Sequence, residues 1–214
     1  MYLPRHFHEE RIEVLHEAMR NLGAATVVSV GPEGLVGTHV PLALHPHPAP
    51  LGTLCCHFAR GNPHASLLQS APEVMVIYQG PQRYITPAWY PTKQETGKVV
   101  PTWNYVAIHA YGSATLSHDP GWLLRHVSEL TDWHERDAAQ PWKVSDAPAD
   151  YIAAMCKAIV GVEIKLSRIE GKWKVSQNRT QAERKGVIAG LGEIGDPASR
   201  AMADLVAQAD PERG

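Results

Sequence analysis

Extended, β-branched segments follow one another through the middle of the chain without the regular strand–helix alternation that a parallel sheet needs. Residues 24–30 are rich in β-branched Thr and Val, the punctuation Gly31-Pro32-Glu33-Gly34 follows, and residues 35–40 are extended again. Two such runs around a tight Gly-containing tetrapeptide predict a β-hairpin. Residues 54–58 and 74–78 read as compact strands, and 103–116 as a longer one. Val160, Val162, Ile164 and Leu166 alternate with other residues, as on a half-buried strand. This pattern predicts an α+β protein, mainly antiparallel β, with a sheet or barrel at its centre and helices packed outside.

The helices are marked by their ends. Ile12, Leu15, Met19 and Leu22 form one stripe over residues 9–22, and Gly23 can close that helix in a left-handed cap. Asn62 is an N-cap for residues 63–70, with Pro63 at the first helical position. Asp119-Pro120 starts a helix over residues 119–137, striped by Leu123, Val127 and Leu130. Residues 151–159 predict a shorter helix, and 181–208 two helices broken around 190–197. His45-Pro46-His47-Pro48-Ala49-Pro50 is a proline-rich loop. The chain shows no internal repeat, and its 214 residues suit one domain, with 181–208 as a helical C-terminal extension.

Charge and cysteine usage exclude several classes. The net charge of −2 gives no general attraction to nucleic acid or to an anionic membrane. No window approaches the roughly 18 apolar residues of a membrane span, and the N-terminus has no signal-peptide core. Cys55 and Cys56 are adjacent and Cys156 is the third cysteine, so reduced thiols in a cytoplasmic protein are expected. Asn178-Arg179-Thr180, a glycosylation acceptor by pattern, then has no role as one.

Several motifs lack their context. Gly190-Leu191-Gly192-Glu193-Ile194-Gly195 has the spacing of a dinucleotide loop, but helix-like residues precede it and the chain ends at Gly214, so a helix-to-helix turn is expected. The twelve histidines show no zinc-type spacing; Cys55 and His57 would share a strand face, yet no metal site is expected. There is no G-x-S-x-G elbow and no P-loop. More is carried by His57-Phe58-Ala59-Arg60-Gly61-Asn62-Pro63, where a strand end, an Arg fork and a helix start could together hold an anion; a surface Arg is the alternative. Residues 80–90 and 100–105 collect Trp89, Trp103, Tyr84, Tyr90 and Tyr105 beside Pro and amide residues. Such clusters suit a planar ligand, an interface or a core. Residues 165–185 are basic, which predicts a solvated strand face or contact with phosphates, with no helix-turn-helix nearby.

Six stretches in order carry a resemblance along nearly the whole chain. They are Met1-Tyr2-Leu3-Pro4 with Phe7, Thr38-His39-Val40-Pro41, residues 57–63, residues 80–90, Val100-Pro101-Thr102-Trp103-Asn104-Tyr105, and Lys174-Val175-Ser176-Gln177-Asn178-Arg179. With these the chain resembles the PaiB family of FMN-binding negative transcriptional regulators, similar to split-barrel flavin proteins related to pyridoxine-phosphate oxidase. The resemblance implies a six-stranded split β-barrel with flanking helices, a bacterial cytoplasmic homodimer, and FMN between the subunits. It also implies regulation through promoter DNA or a protein partner. Arg60, with Thr38 and His57, is expected at the FMN phosphate, and Trp103 and Asn104 at the isoalloxazine ring. Arg179, preceded by Gln177, is expected from the partner subunit, and His39 and Asn62 complete the cofactor set. No catalytic residue stands out, though a flavin oxidoreductase or a haem-binding split barrel would share the fold. Cys55-Cys56 and the His/Pro loop are departures that bear on the local cleft.

Overall fold

In a computed structural model that describes residues 1–47, 50–71 and 73–209, the chain forms one eight-stranded sheet and seven α-helices. In chain order these are β1 (His8–Glu9), α1 (Ile12–Leu22), β2 (Ala24–Gly31), β3 (Gly34–Pro41), β4 (Ala43–His45), β5 (Thr53–Ala59), α2 (Pro63–Ser70) and β6 (Val74–Ile85). There follow α3 (Thr92–Glu95), β7 (Thr102–Ser117), α4 (Pro120–Glu135), α5 (Ala149–Lys157), β8 (Ile159–Lys174), α6 (Gln181–Ile194) and α7 (Pro197–Gln208). The sheet runs β3-β2-β6-β7-β8-β5-β4, with β1 joined to β8. The pairings of β2 with β3 and β6, of β5 with β4 and β8, and of β1 with β8 are antiparallel. This is the α+β split barrel, an open sheet of mainly antiparallel strands. The count exceeds the expected six because β1 and β4 are only two and three residues long; the other six strands have seven to sixteen.

Local punctuation explains many element ends. Gly34, at φ 117, lets the β2–β3 hairpin close with Gly31 opposite Gly34. Gly23 caps α1 at φ 69. Asn62 Oδ1 accepts the His64 N–H at 3.0 Å and Asp119 Oδ2 accepts the Trp122 N–H at 2.8 Å, so both predicted N-caps form. Of the predicted loop at 45–50, His45 ends β4, and Pro48 and Ala49 lie outside the described residues.

Strand lengths depart from the sequence reading. The strand expected at 74–78 continues to Ile85. β2 pairs with it only at Met75 to Ile77, so Pro81 is not asked for a backbone donor on that side. The strand expected around 160–166 runs on to Lys174. The basic stretch is therefore solvated only in part. Lys165, Arg168 and Lys185 are exposed, whereas Lys172 and Arg184 are buried. Lys172 Nζ donates to the Tyr2 carbonyl at 2.9 Å, and Arg184 Nη1 to the Arg179 carbonyl at 2.9 Å.

Contacts group the chain into two units. One comprises Met1–Arg11, Gln79–Ile108 and Glu170–Gly214; the other comprises Ile12–Tyr78 and His109–Ile169. The first is centred on Tyr90, Val106, Val187, Leu191, Met202 and Val206. Its helix α6 starts in a capping box, in which Thr180 Oγ1 accepts the Glu183 N–H and Glu183 Oε2 accepts the Thr180 N–H. The break between α6 and α7 is confined to Gly195 and Asp196, so the G-x-G-x-x-G stretch is helix up to Ile194 and not a turn throughout.

Gly190 has a packing role inside that helix. A Cβ there would lie 2.2 Å from Trp89 Cε2, whereas one on Gly192 meets nothing within 4 Å. Gly190→Ala is therefore expected to destabilise the protein by about 1–3 kcal/mol through overpacking. Gly192→Ala should stabilise it by about 0.5–1 kcal/mol through helix propensity. Denaturant unfolding of the two variants checks this; shifts of the same sign would refute the packing role.

The second unit buries Leu15 and Met19 of α1, Phe58 of β5 and Leu68 of α2. Trp122 docks α4. A Cβ on Gly161 would lie 2.2 Å from its Cζ3, and its Nε1 donates to Glu163 Oε1 at 2.8 Å. Cys55, Cys56 and Cys156 are free and buried. Among the described residues no helix is long and apolar enough to cross a membrane.

Candidate functional site

At the end of β5 the chain turns through Arg60 and Gly61 into α2, and a polar chain forms behind that turn. Asn62 Nδ2 donates to Thr38 Oγ1 at 3.3 Å, and Thr38 Oγ1 lies 2.7 Å from His64 Nδ1. His64 Nε2 lies 2.9 Å from Ser29 Oγ. Asn62 Oδ1 is already occupied by the His64 backbone N–H, so its amide orientation is fixed. His64 thus bridges Thr38 and Ser29 through its two ring nitrogens, with one nitrogen donating and the other accepting in its neutral form. Burial lowers the pKa of His64, which favours that neutral form. His64 has no solvent exposure and escaped the sequence reading; the only local signal was its place just after Asn62-Pro63.

The other expected residues of this unit point elsewhere. Arg60 is exposed, and its Nη2 donates to the Ile159 carbonyl at 3.3 Å. His57 Nδ1 lies 3.1 Å from Nε2 of His126 on α4. His39 is exposed beside Thr26, Nδ1 to Oγ1 at 2.8 Å. The structure thus brings Thr38 and Asn62 together around His64, with Arg60 two residues away along the chain. His57 and His39 each have a different partner.

Two clefts flank α4 within this unit. One, of about 620 Å³, lies between α4 and α5, is mainly apolar, and has Arg60 and Lys157 on its lining. The other, of about 270 Å³, is polar and includes His45, Cys55, Trp122, His126, Glu129 and Glu163. His126 stacks on Trp122, with ring centroids 5.1 Å apart and planes at 22°. Burial, then the neighbouring His57 and His45, pushes its pKa down to about 4. Burial, then Glu163 and Glu129, pushes the Cys55 thiol up to about 12, so it is protonated and a poor nucleophile or metal ligand. Among the described residues no three His, Cys, Asp or Glu side chains are placed to hold a metal.

The first unit holds the aromatic and amide residues. Trp103 is 48% exposed, and its Nε1 donates to Gln82 Oε1 at 3.0 Å. Tyr84 meets it edge-on, with centroids 6.3 Å apart. Asn104 is buried and its Nδ2 donates to Ser176 Oγ at 2.9 Å. Ser176, at φ 68, is the one non-glycine residue with positive φ among the described residues. Such a backbone costs of order 1–3 kcal/mol and needs support from its surroundings, which the Asn104 bond supplies. Gln177 folds back on its own turn, accepting the Val175 N–H at 2.9 Å. The Arg179 guanidinium lies 4.8 Å from the centre of the Tyr90 ring. The Asn104–Ser176 bond therefore ties Trp103-Asn104 to the turn that carries Gln177 and Arg179. Gln82 and Ser176 lie in stretches that the sequence marked, but their pairing with Trp103 and Asn104 had no sequence signal, since the partners are 21 and 72 residues apart.

The model of the family described as "Putative FMN-binding domain" matches residues 1–168. An uncharacterised protein of Emericella nidulans is 34% identical over 241 aligned positions that cover 96% of each chain. The protease synthase and sporulation protein PAI 2 of Bacillus subtilis is 29% identical over 206 positions, again 96% of each chain. Relatives are thus fungal as well as bacterial. Among solved structures, the FAD and heme binding protein from Mycobacterium smegmatis superposes with a TM-score of 0.57 at 14% identity, over 77% of this chain and 71% of that one. At that identity the likeness establishes the fold alone.

Proposed function

Because this chain belongs to the family described as "Putative FMN-binding domain", we propose that it holds FMN in a cleft between two copies of itself and acts as a flavin-responsive negative regulator of transcription. The observation that carries the flavin reading is the Arg60 guanidinium. It is exposed at the turn into α2 and, among the described residues, has one backbone carbonyl as side-chain partner and no carboxylate. A phosphate supplies the charge this fork lacks. We assign Thr38 and Asn62, bonded to each other beside the same turn, to the phosphate as well, Asn62 through its second amide hydrogen. We assign the isoalloxazine ring to Trp103, whose half-exposed indole offers flat apolar contact, with the neighbouring Asn104 buried on Ser176 and holding this segment in place. Trp103 and Asn104, with Gln177 and Arg179 on the turn that the Asn104–Ser176 bond ties to them, are the partner copy's share of the cleft in this reading. His57 and His39 are left out of the proposed contacts, because His126 and Thr26 engage them. Bound FMN would supply a redox-active ring.

The regulatory half is supported by the Bacillus subtilis relative, whose name ties it to protease synthesis and sporulation. With a net charge of −2 the chain has no general pull toward DNA, so the target is a short promoter element or a protein partner. The direct test is to load the purified protein with excess FMN, desalt it, and measure retained flavin absorbance and molecular mass. One FMN per chain in a species of twice the chain mass is expected. A colourless protein refutes the cofactor, and a flavin-bound species of single-chain mass refutes the shared cleft. A salt-dependent gel shift with promoter DNA then tests the regulatory target.

A further inference from the structure

The 620 Å³ cleft between α4 and α5 has a size typical of small-molecule sites, and of its lining the flavin reading uses only Arg60. Leu123, Ile152 and Ala153 form part of its apolar wall, while its charged side chains are Arg60 and Lys157; no Asp or Glu lines it. Lys157 is exposed and makes no side-chain hydrogen bond or ion pair among the described residues. An apolar slot with two cations and no compensating carboxylate matches a ligand that is greasy at one end and anionic at the other. A purely apolar molecule would leave Lys157 unused, and a small inorganic anion would leave the wall wet.

We propose that this cleft binds a small amphipathic carboxylate, with its hydrocarbon body between α4 and α5 and its head group at Lys157, which leaves Arg60 to the flavin phosphate. Of its lining only Arg60 also belongs to the proposed flavin contacts. The test therefore leaves Arg60 alone. The fluorescent aryl sulfonate 8-anilinonaphthalene-1-sulfonate is titrated into the full chain, and decanoate and decanol compete with it. One probe per chain is expected, displaced by decanoate at a concentration at least ten-fold below that needed for decanol. Lys157→Glu and Ala153→Trp, both at exposed positions, should each weaken decanoate at least ten-fold and leave FMN uptake and thermal unfolding unchanged. Equal competition by the alcohol, or both variants binding like the parent, overturns the proposal. So does loss of the probe one for one on FMN loading, which would make the cleft the flavin site itself. Loss of the probe with a doubling of mass as protein concentration rises also overturns it, since a second copy would then cover the cleft. Failure of FMN uptake with decanoate binding intact would sink the flavin reading and leave this one standing.

Discussion

Replacing Arg60 with Ala is expected to weaken FMN binding by about 2–5 kcal/mol, roughly 30- to 4,000-fold, provided that the bound flavin and the second copy take the contact out of water. The size follows from what the guanidinium lacks. It has one carbonyl partner at 3.3 Å and no carboxylate to neutralise it, so most of its donors are open for a phosphate. Removing it leaves a dianion facing a hydroxyl and an amide, without a charge of opposite sign. Arg60→Lys should fall between the two, because it keeps the charge and loses the fork. The side chain is exposed and supports little of the fold, so the loss should appear in affinity and not in stability. Titration of flavin fluorescence against protein reads both variants; an unchanged dissociation constant for Arg60→Ala removes Arg60 from the site.

Acidification is expected to destabilise the protein well above the range in which carboxylates protonate. Burial lowers the pKa of His57, His64 and His126 in the folded state, His126 to about 4. The unfolded chain therefore takes up these protons first, near pH 6.5. Stability from His126 is complete above about pH 6.5 and declines as pH falls to about 4, by roughly 3 kcal/mol at the limit. His57 and His126 are 3.1 Å apart, so the loss belongs to the pair and not to either ring alone. Urea unfolding at pH 7, 5.5 and 4.5 measures it. His126→Phe keeps a ring against Trp122 while removing the titrating group, and should flatten most of the dependence. A parent protein equally stable at pH 7 and 4.5 would contradict the assignment.

The two effects differ in how far they could be read from the sequence. Arg60 and Asn62 stood out because Arg, Gly, Asn and Pro follow a strand in one short stretch, and the chemistry of that turn is local. The same holds for Gly34 in the hairpin and for Asp119 at the start of α4. The histidine pair was invisible. His57 and His126 are 69 residues apart, and nothing in either neighbourhood marks the other. His64 is a similar case, joining Ser29 and Thr38 from 35 and 26 residues away.

Caps, turns, the antiparallel character of the sheet and membership of a flavin-binding family were therefore legible from residue order, since each depends on backbone preferences or motifs spanning a few residues. The extents of β6 and β8, the helical state of Gly190, the bridge of His64 between Thr38 and Ser29 and the cleft between α4 and α5 came from the fold. Each depends on which distant strand, indole or helix lies alongside, and in a close-packed interior those neighbours are chosen by the whole chain at once.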